Sequence, residues 1–479
     1  MNPLREALAA GRFCYVVELV ASRLAREARL LDVAARLASC PGVVAGSVTS
    51  YAGGAPGHDP IRVGTAARAR GLTPNIHLTC VSQDRDGLRK TLEDLHALGI
   101  ENVFAMTGDY PTAPVGQDRP PAVFDLDSVQ LVALISELRR AGMPFHVAVA
   151  VSPFKYTEAD CFYQYLKLEK KIAAGADVAI TQLGYDARKF RELMRYLHEG
   201  GVRTPVLGNV YLLNLRGAEK MAKGEPPGCW VAPELLEAVR RESAAGDGGQ
   251  AARLERAARM VAVLRGLGYA GAYLGGTHDA GQIAWIIQRA EALAPRWEEF
   301  AAEPTYAPRD GFYLYEGGAR SVSRRRHAIP VALDALGRLF PVQRESWLRR
   351  LLRGFFGWVD RFPLLARGLE RVEMAIKGPA FGCQACGNCV LGHMEYVCPQ
   401  TCPKQMRNGP CGGAHLGRCE VVDKPCIWGQ VYERAKAANR LVDLRAYLPA
   451  PDRHLQGSSS WINYFLERAP APPARGPGH

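Results

Sequence analysis

No apolar run in the 479-residue chain reaches the length a bilayer requires, which excludes a helical membrane span. The opening stretch MNPLREALAAGRFCYVVELVASR has no long apolar segment followed by a cleavage-type site, so it does not read as a secretory leader. Nucleic-acid signatures are missing as well: there is no two-cysteine, two-histidine finger and no aromatic RNA-binding motif. A Gly-x-Gly-x-x-Gly turn, which a doubly wound sheet usually places after its first strand, does not occur there. The glycine-rich LGGTHDAG around Gly275 has a different spacing and reads as a strand-to-helix loop. These absences lead to the expectation of a cytoplasmic protein with no nucleic-acid partner and no membrane insertion.

What is present is alternation. Up to about residue 300, short apolar runs look like buried strands: FCYVVEL, VVAGSVTSY, TPNIHLTC, NVFAMTG, FHVAVAV, VAITQL, TPVLGNVYLL and GYAGAYLGG. Amphipathic helical stretches separate them. In DGLRKTLEDLHALG, for example, Leu88, Leu92, Leu95 and Leu98 share one face. Such a βα alternation, repeated about eight times, predicts an α/β fold of the (β/α)8 barrel type over residues 1–300, with a doubly wound sheet as its competitor. Residues 301–375 then read as a basic helical linker, 376–440 as a cysteine-rich metal-binding domain, and 441–479 as an extension ending in a disordered Pro-rich tail. In the linker Trp347, Leu351, Leu352, Phe355 and Phe356 form an apolar stripe, suited to packing between domains or to a membrane surface. The net charge of +12 is mostly arginine, which suits solvated helix faces or a docking face for an acidic partner.

Barrels place their functional groups at the C-terminal strand ends. Glu18 ends the first run, Thr49 and Tyr51 the second; His77 and Thr79 close the third, Asp109 follows the fourth and Gln182 the sixth. Two carboxylates, a histidine and an amide would converge on one mouth, where different surroundings can divide acid and electrostatic roles.

Four segments resemble the methylenetetrahydrofolate reductases: VVELVASR, with Glu18 and Arg23; SVTSYAGG; HLTCVSQDRDGLRKTLEDLHALGIENVFAMTGDYP; and LKLEKKIAAGADVAITQLGYD. The resemblance covers roughly residues 10–295. It implies a non-covalent flavin at the strand ends, FAD with FMN as the alternative, and hydride transfer to 5,10-methylenetetrahydrofolate. Glu18 then matches the general acid that helps open the substrate ring, and Asp109 the residue between flavin and pterin. Gln182 and Leu215 match folate contacts. Thr49, His77, Gly108, Asp109, Ala150, Lys170 and Lys171 match flavin contacts. The chain departs from the family at Thr107, where Arg is common; LVAS replaces the usual aromatic-proline run, VSPF replaces a Tyr-Pro pair after the fifth strand, and VLGNVYLLNL lacks the usual prolines. Those positions bear on nicotinamide stacking and flavin affinity.

Eight of the 13 cysteines crowd the last fifth of the chain, spaced Cys-x2-Cys-x2-Cys-x8-Cys-x3-Cys-x8-Cys-x7-Cys-x6-Cys. They are Cys383, Cys386, Cys389, Cys398, Cys402, Cys411, Cys419 and Cys426. In a reducing compartment such density argues for metal ligation rather than disulfides. Three thiols at every third residue resemble the opening of a bacterial [4Fe–4S] motif, and Cys398 and Cys402 are each followed by proline. Structural zinc also takes four ligands, so a [4Fe–4S] cluster, zinc, or one of each stays open. The run CPKQMRNGPCGG, with GRCEV and CIWGQVYERAK, resembles the C-terminal domain of some methylenetetrahydrofolate reductases and the cysteine-rich partner subunit of the reductase in acetogens. This implies electron delivery by a route other than direct NADH stacking. The expected partners are a folate substrate, a ferredoxin or another acidic electron-transfer protein, and further copies of the chain. The rival readings are a reductase that uses NAD(P)H directly beside a structural zinc domain, and a non-catalytic docking subunit.

Overall fold

The computed structural model describes residues 2–21, 27–49, 57–111, 121–316, 328–339 and 346–470. The chain divides into two compact units: Met1–Ala319 together with Cys411–Leu416, and Arg320–Pro410 together with Gly417–His479.

In the first unit eight parallel strands close on themselves: β1 (Cys14–Leu19), β2 (Val43–Val48), β3 (Pro74–Thr79), β4 (Asn102–Met106), β5 (His146–Val151), β6 (Val178–Thr181), β7 (Val206–Tyr211) and β8 (Gly271–Gly275). Each pairs with the next, and β8 returns to β1 with Val16 opposite Tyr273. This is the (β/α)8 barrel that the alternation predicts. Its interior is one apolar cluster that takes Cys14 and Val16, Ala45, Phe104, Ala148, Val178 and Ile180, Leu207, and Tyr273 from different strands. Leu4 and Ala7 of the first helix, Pro3–Ala9, join the same cluster. Strand side chains alternate, so continuing the inward series puts Glu18, Ser47 and Ala150 on the inner face, one step towards the C-terminal ends. The outward residues Val17, Leu19, Val103, Val147 and Val149 are buried beneath the helices, as both faces of a parallel sheet must be. In the helix Arg85–Ala97, Leu88, Leu92 and Leu95 are fully buried, whereas Leu98 is exposed. The apolar face stops short because Leu98 is the C-cap and the chain turns at Gly99.

In the second unit the helix Trp347–Asp360 ends and Pro363 opens the next, Pro363–Phe381. Proline is tolerated there because a helix's first N–H groups need no helical partner. Phe356 and Val359 bury against Ile462 and Phe465 of the helix Ser460–Phe465, with Leu352 at the margin. Two of the five residues of the expected apolar stripe therefore pack within this unit, while Trp347, Leu351 and Phe355 are exposed. Beyond Phe381 the backbone is mostly turns, held by buried amides. Asn408 donates to the Leu448 carbonyl at 2.9 Å and accepts from its N–H at 2.8 Å. Asn388 does the same for Asp452, at 2.8 and 3.0 Å. Among the described residues no helix is long and apolar enough to cross a membrane. Residues 471–479 of the Pro-rich tail lie outside the described residues.

Candidate active site at the strand ends

Glu18 sits near the end of β1, recessed in the mouth of the barrel. Enclosure by protein pushes its carboxyl up to about 7. Gly275 at the end of β8 makes the space: a Cβ there would lie 2.7 Å from Glu18 Oε2. On β3, His77 places Nε2 2.8 Å from Ser47 Oγ and 3.4 Å from the Tyr273 hydroxyl. The Phe104 ring meets its edge at 4.9 Å. Burial pushes this imidazole down to about 3, so it is neutral near pH 7 and serves as a hydrogen-bonding group rather than a charge.

Thr49 directly follows β2. Its Oγ1 accepts from the Ala21 N–H at 3.1 Å and its own N–H donates to the Leu19 carbonyl at 3.1 Å, which fixes the exit of β1. After β4 the chain turns at Gly108, φ +87°, where a Cβ would meet Val81 Cγ2 at 2.4 Å and Thr79 Cβ at 2.9 Å; only glycine fits. Asp109 comes next and is half-buried. Cys229, in the connection after β7, reports how these groups converge. Its buried thiol is pushed up to about 12, first by burial and then by Asp109 and Glu18, with Lys155 opposing. Gln182 follows β6; its backbone N–H donates to the Val151 carbonyl at 2.7 Å and its Oε1 accepts from the Leu183 N–H at 2.9 Å. Leu215 is the partly exposed first residue of the helix Leu215–Ala222, after β7. Tyr51 and Arg23 lie outside the described residues.

Lys170 and Lys171 belong to the helix Glu158–Ala173, and both are buried. Burial lowers each to about 7; Lys167 lowers them further and Asp127 opposes. Lys171 Nζ donates to the carbonyl of Ala150 at 2.6 Å, which joins two of the sequence-predicted positions. Sequence reasoning missed Lys167 and Lys155, also buried cations of this face. Lys155 Nζ donates to the Gly412 carbonyl at 2.6 Å and to that of Ala414. Gln164 Nε2 reaches the Cys411 carbonyl at 3.2 Å, and the His415 ring stacks on Trp230 at 6.1 Å. The six-residue segment Cys411–Leu416 is thereby bound to the barrel unit. A lysine four residues past the end of β5 was the available signal.

In the second unit Cys383, Cys386, Cys389 and Cys398 line a single cavity together with Val390, Leu391 and Pro399. The Cys398 thiol is pushed up to about 12 by burial and by the other three thiols, and Cys402 is raised by burial with a contribution from Cys419. Cys426 is buried at the start of the helix Ile427–Ala437. Among the described residues no three His, Cys, Asp or Glu side chains converge as a site for one metal ion. The first four thiols ring a space rather than meet at a point.

A closed barrel whose strand ends gather a carboxyl near neutrality, a neutral imidazole and buried lysines is built to handle a small polar molecule at its mouth. Two family models then match the chain: "Methylenetetrahydrofolate reductase" over residues 3–261 and "Methylene-tetrahydrofolate reductase C terminal" over residues 363–454. The chain belongs to the methylenetetrahydrofolate reductase family. It is 30% identical over 154 residues to the 5,10-methylenetetrahydrofolate reductase of Salmonella typhimurium, a match covering 32% of this chain and 48% of that one. With methylenetetrahydrofolate reductase (NADH) 1 of Arabidopsis thaliana it shares 33% over 161 residues, 31% of this chain and 26% of the relative. The match therefore spans less than half the length of either relative.

Proposed function

We propose that the chain reduces 5,10-methylenetetrahydrofolate to 5-methyltetrahydrofolate at a flavin held in the barrel mouth, with electrons relayed through an iron–sulfur cluster in the second unit. The observation that carries the reading is Glu18, a recessed carboxyl that keeps its proton close to neutral pH. The residues present fit a flavin: Lys167, Lys170 and Lys171 gather on one helix as buried amines, and a bound phosphate would hold them protonated. When bound, the flavin, FAD with FMN as the alternative, supplies the hydride. Glu18 delivers a proton to the ring nitrogen of the folate that leaves the one-carbon unit, which leaves a cationic iminium. Asp109 places a negative charge beside that cation, while Gln182 and Leu215 orient the folate. Thr49, His77, Gly108, Asp109, Ala150, Lys170 and Lys171 would hold the flavin.

The four thiols around one apolar cavity fit a [4Fe–4S] cluster, whose ligands surround a volume, better than zinc, whose ligands meet at one point. Cys383, Cys386, Cys389 and Cys398 would hold it, and when bound it would supply single electrons. Cys402, whose thiol Cys419 helps to raise, is where a second centre, zinc or iron–sulfur, would begin with Cys419. A ferredoxin or similar acidic protein suits the basic chain as donor.

The test is an absorption spectrum of protein purified without oxygen, before and after dithionite, followed by mixing of the reduced protein with 5,10-methylenetetrahydrofolate. We expect flavin bands, a broad absorption that bleaches, and flavin reoxidation by the substrate with 5-methyltetrahydrofolate as product. Flavin without iron, reduced rapidly by NADH, would replace the relay with direct NAD(P)H use. Protein that takes up no flavin would overturn the reading and favour a docking subunit.

A further inference from the structure

The helix Pro363–Phe381 carries Glu373 and Lys377 one turn apart, and both are buried. Lys377 Nζ lies 2.7 Å from Glu373 Oε1, 2.9 Å from Ser460 Oγ and 3.6 Å from Cys389 Sγ. Its charge also acts on Cys383. Ser459 Oγ donates to Glu373 Oε2 at 2.7 Å, Ser460 Oγ donates to Oε1, and the Trp461 N–H reaches Oε2 at 3.4 Å. The Trp461 ring lies 5.2 Å from the ammonium. Glu373 and Ser460 line the same cavity as the four thiols.

A buried ion pair is a poor device for stability, because desolvation of two charges roughly cancels their attraction. It is a strong device for fixing a local potential, because few water molecules screen it. Hydrogen bonds to each other, to Ser459 and Ser460 and to Cys389 hold both charges beside the cavity.

We propose that Lys377 and Glu373 set the reduction potential of the centre held by Cys383, Cys386, Cys389 and Cys398, Lys377 raising it and Glu373 lowering it. The inference rests on the cluster reading above. Reduction adds negative charge to the centre. An ammonium hydrogen-bonded to one of its sulfurs stabilises that charge, and a carboxylate in the same wall opposes it. Both are positioning residues: Lys377 touches a ligand sulfur and Glu373 lines the cavity beside the thiols, and neither touches the substrate.

The test uses the full chain, purified without oxygen, as wild type, Lys377→Met, Lys377→Arg and Glu373→Gln. Iron content is measured first, then a potentiometric titration is followed by electron paramagnetic resonance of the reduced state. The midpoint should move to a more negative potential in Lys377→Met and to a less negative one in Glu373→Gln, with Lys377→Arg close to wild type. If Lys377→Met fails to load iron, Glu373→Gln against Lys377→Arg decides by the same sign. Wild-type protein without iron overturns the cluster reading itself. Iron-loaded variants whose midpoints coincide, or shift in one direction regardless of charge, overturn only the role of this pair.

Discussion

Glu18 keeps its proton because the barrel removes it from water without supplying a cation to compensate. Two consequences differ in sign and can be measured separately. As an acid it must be protonated, so folate turnover should fall as pH rises through about 7. Glu18→Gln should keep the flavin but lose about 10²–10⁴-fold in turnover, the usual share of a general acid. For stability, the folded-state value lies above the ordinary 4.5, so the contribution is complete below 4.5 and is lost as pH rises through about 7. The neutral amide escapes that loss. Thermal denaturation should therefore show Glu18→Gln more stable than wild type at pH 8, with the gap closing towards pH 4.5. A gap that does not depend on pH would show that Glu18 is not the desolvated group.

At the scale of elements, the strands were the most legible part of the sequence. Their apolar runs match the observed bounds to within a residue or three, because inward and outward positions of a parallel barrel are both buried. The turns explain the polar residues: Gly108 and Thr49 are specified by backbone geometry at a strand end, and that geometry puts Asp109 and Glu18 beside one mouth. The lysines were harder to read. A Lys-Lys pair on a helix looks solvated in sequence, and only the packing of Glu158–Ala173 shows that Lys167, Lys170 and Lys171 are buried. For Lys155 the sequence offered only its place four residues past β5; its partners are backbone carbonyls more than 250 residues away, which no motif marks. Lys155→Met should leave those carbonyls without their donor, at a cost of about 1–3 kcal/mol. Hydrogen exchange over 411–416 should accelerate while the strands stay protected; unchanged exchange there would show that other contacts hold the segment.

At the scale of the whole molecule the chain builds two separate apolar cores, and their spectroscopic labels would differ. The second core is small. Phe356 and Phe465 stack at 4.8 Å and 13° between helices more than 100 residues apart in sequence, and Val359 and Ile462 complete the cluster. Cysteine spacing marked this region as a metal site but said little about what holds it together, because its support comes from aromatic residues and amides that carry no motif. Glu373 and Ser460 belong to the helices that this core joins. Truncating Phe465 to alanine removes one face of the stack and leaves a cavity, a loss of about 3 kcal/mol in so compact a cluster. If the second unit holds the proposed cluster, Phe465→Ala should bleach its absorption at a lower urea concentration than wild type. Release of flavin fluorescence, which reports the barrel, should keep its midpoint. If both signals shift together, the two cores unfold as one cooperative body; if neither shifts, the Phe356–Phe465 stack does not support the cysteine-lined cavity.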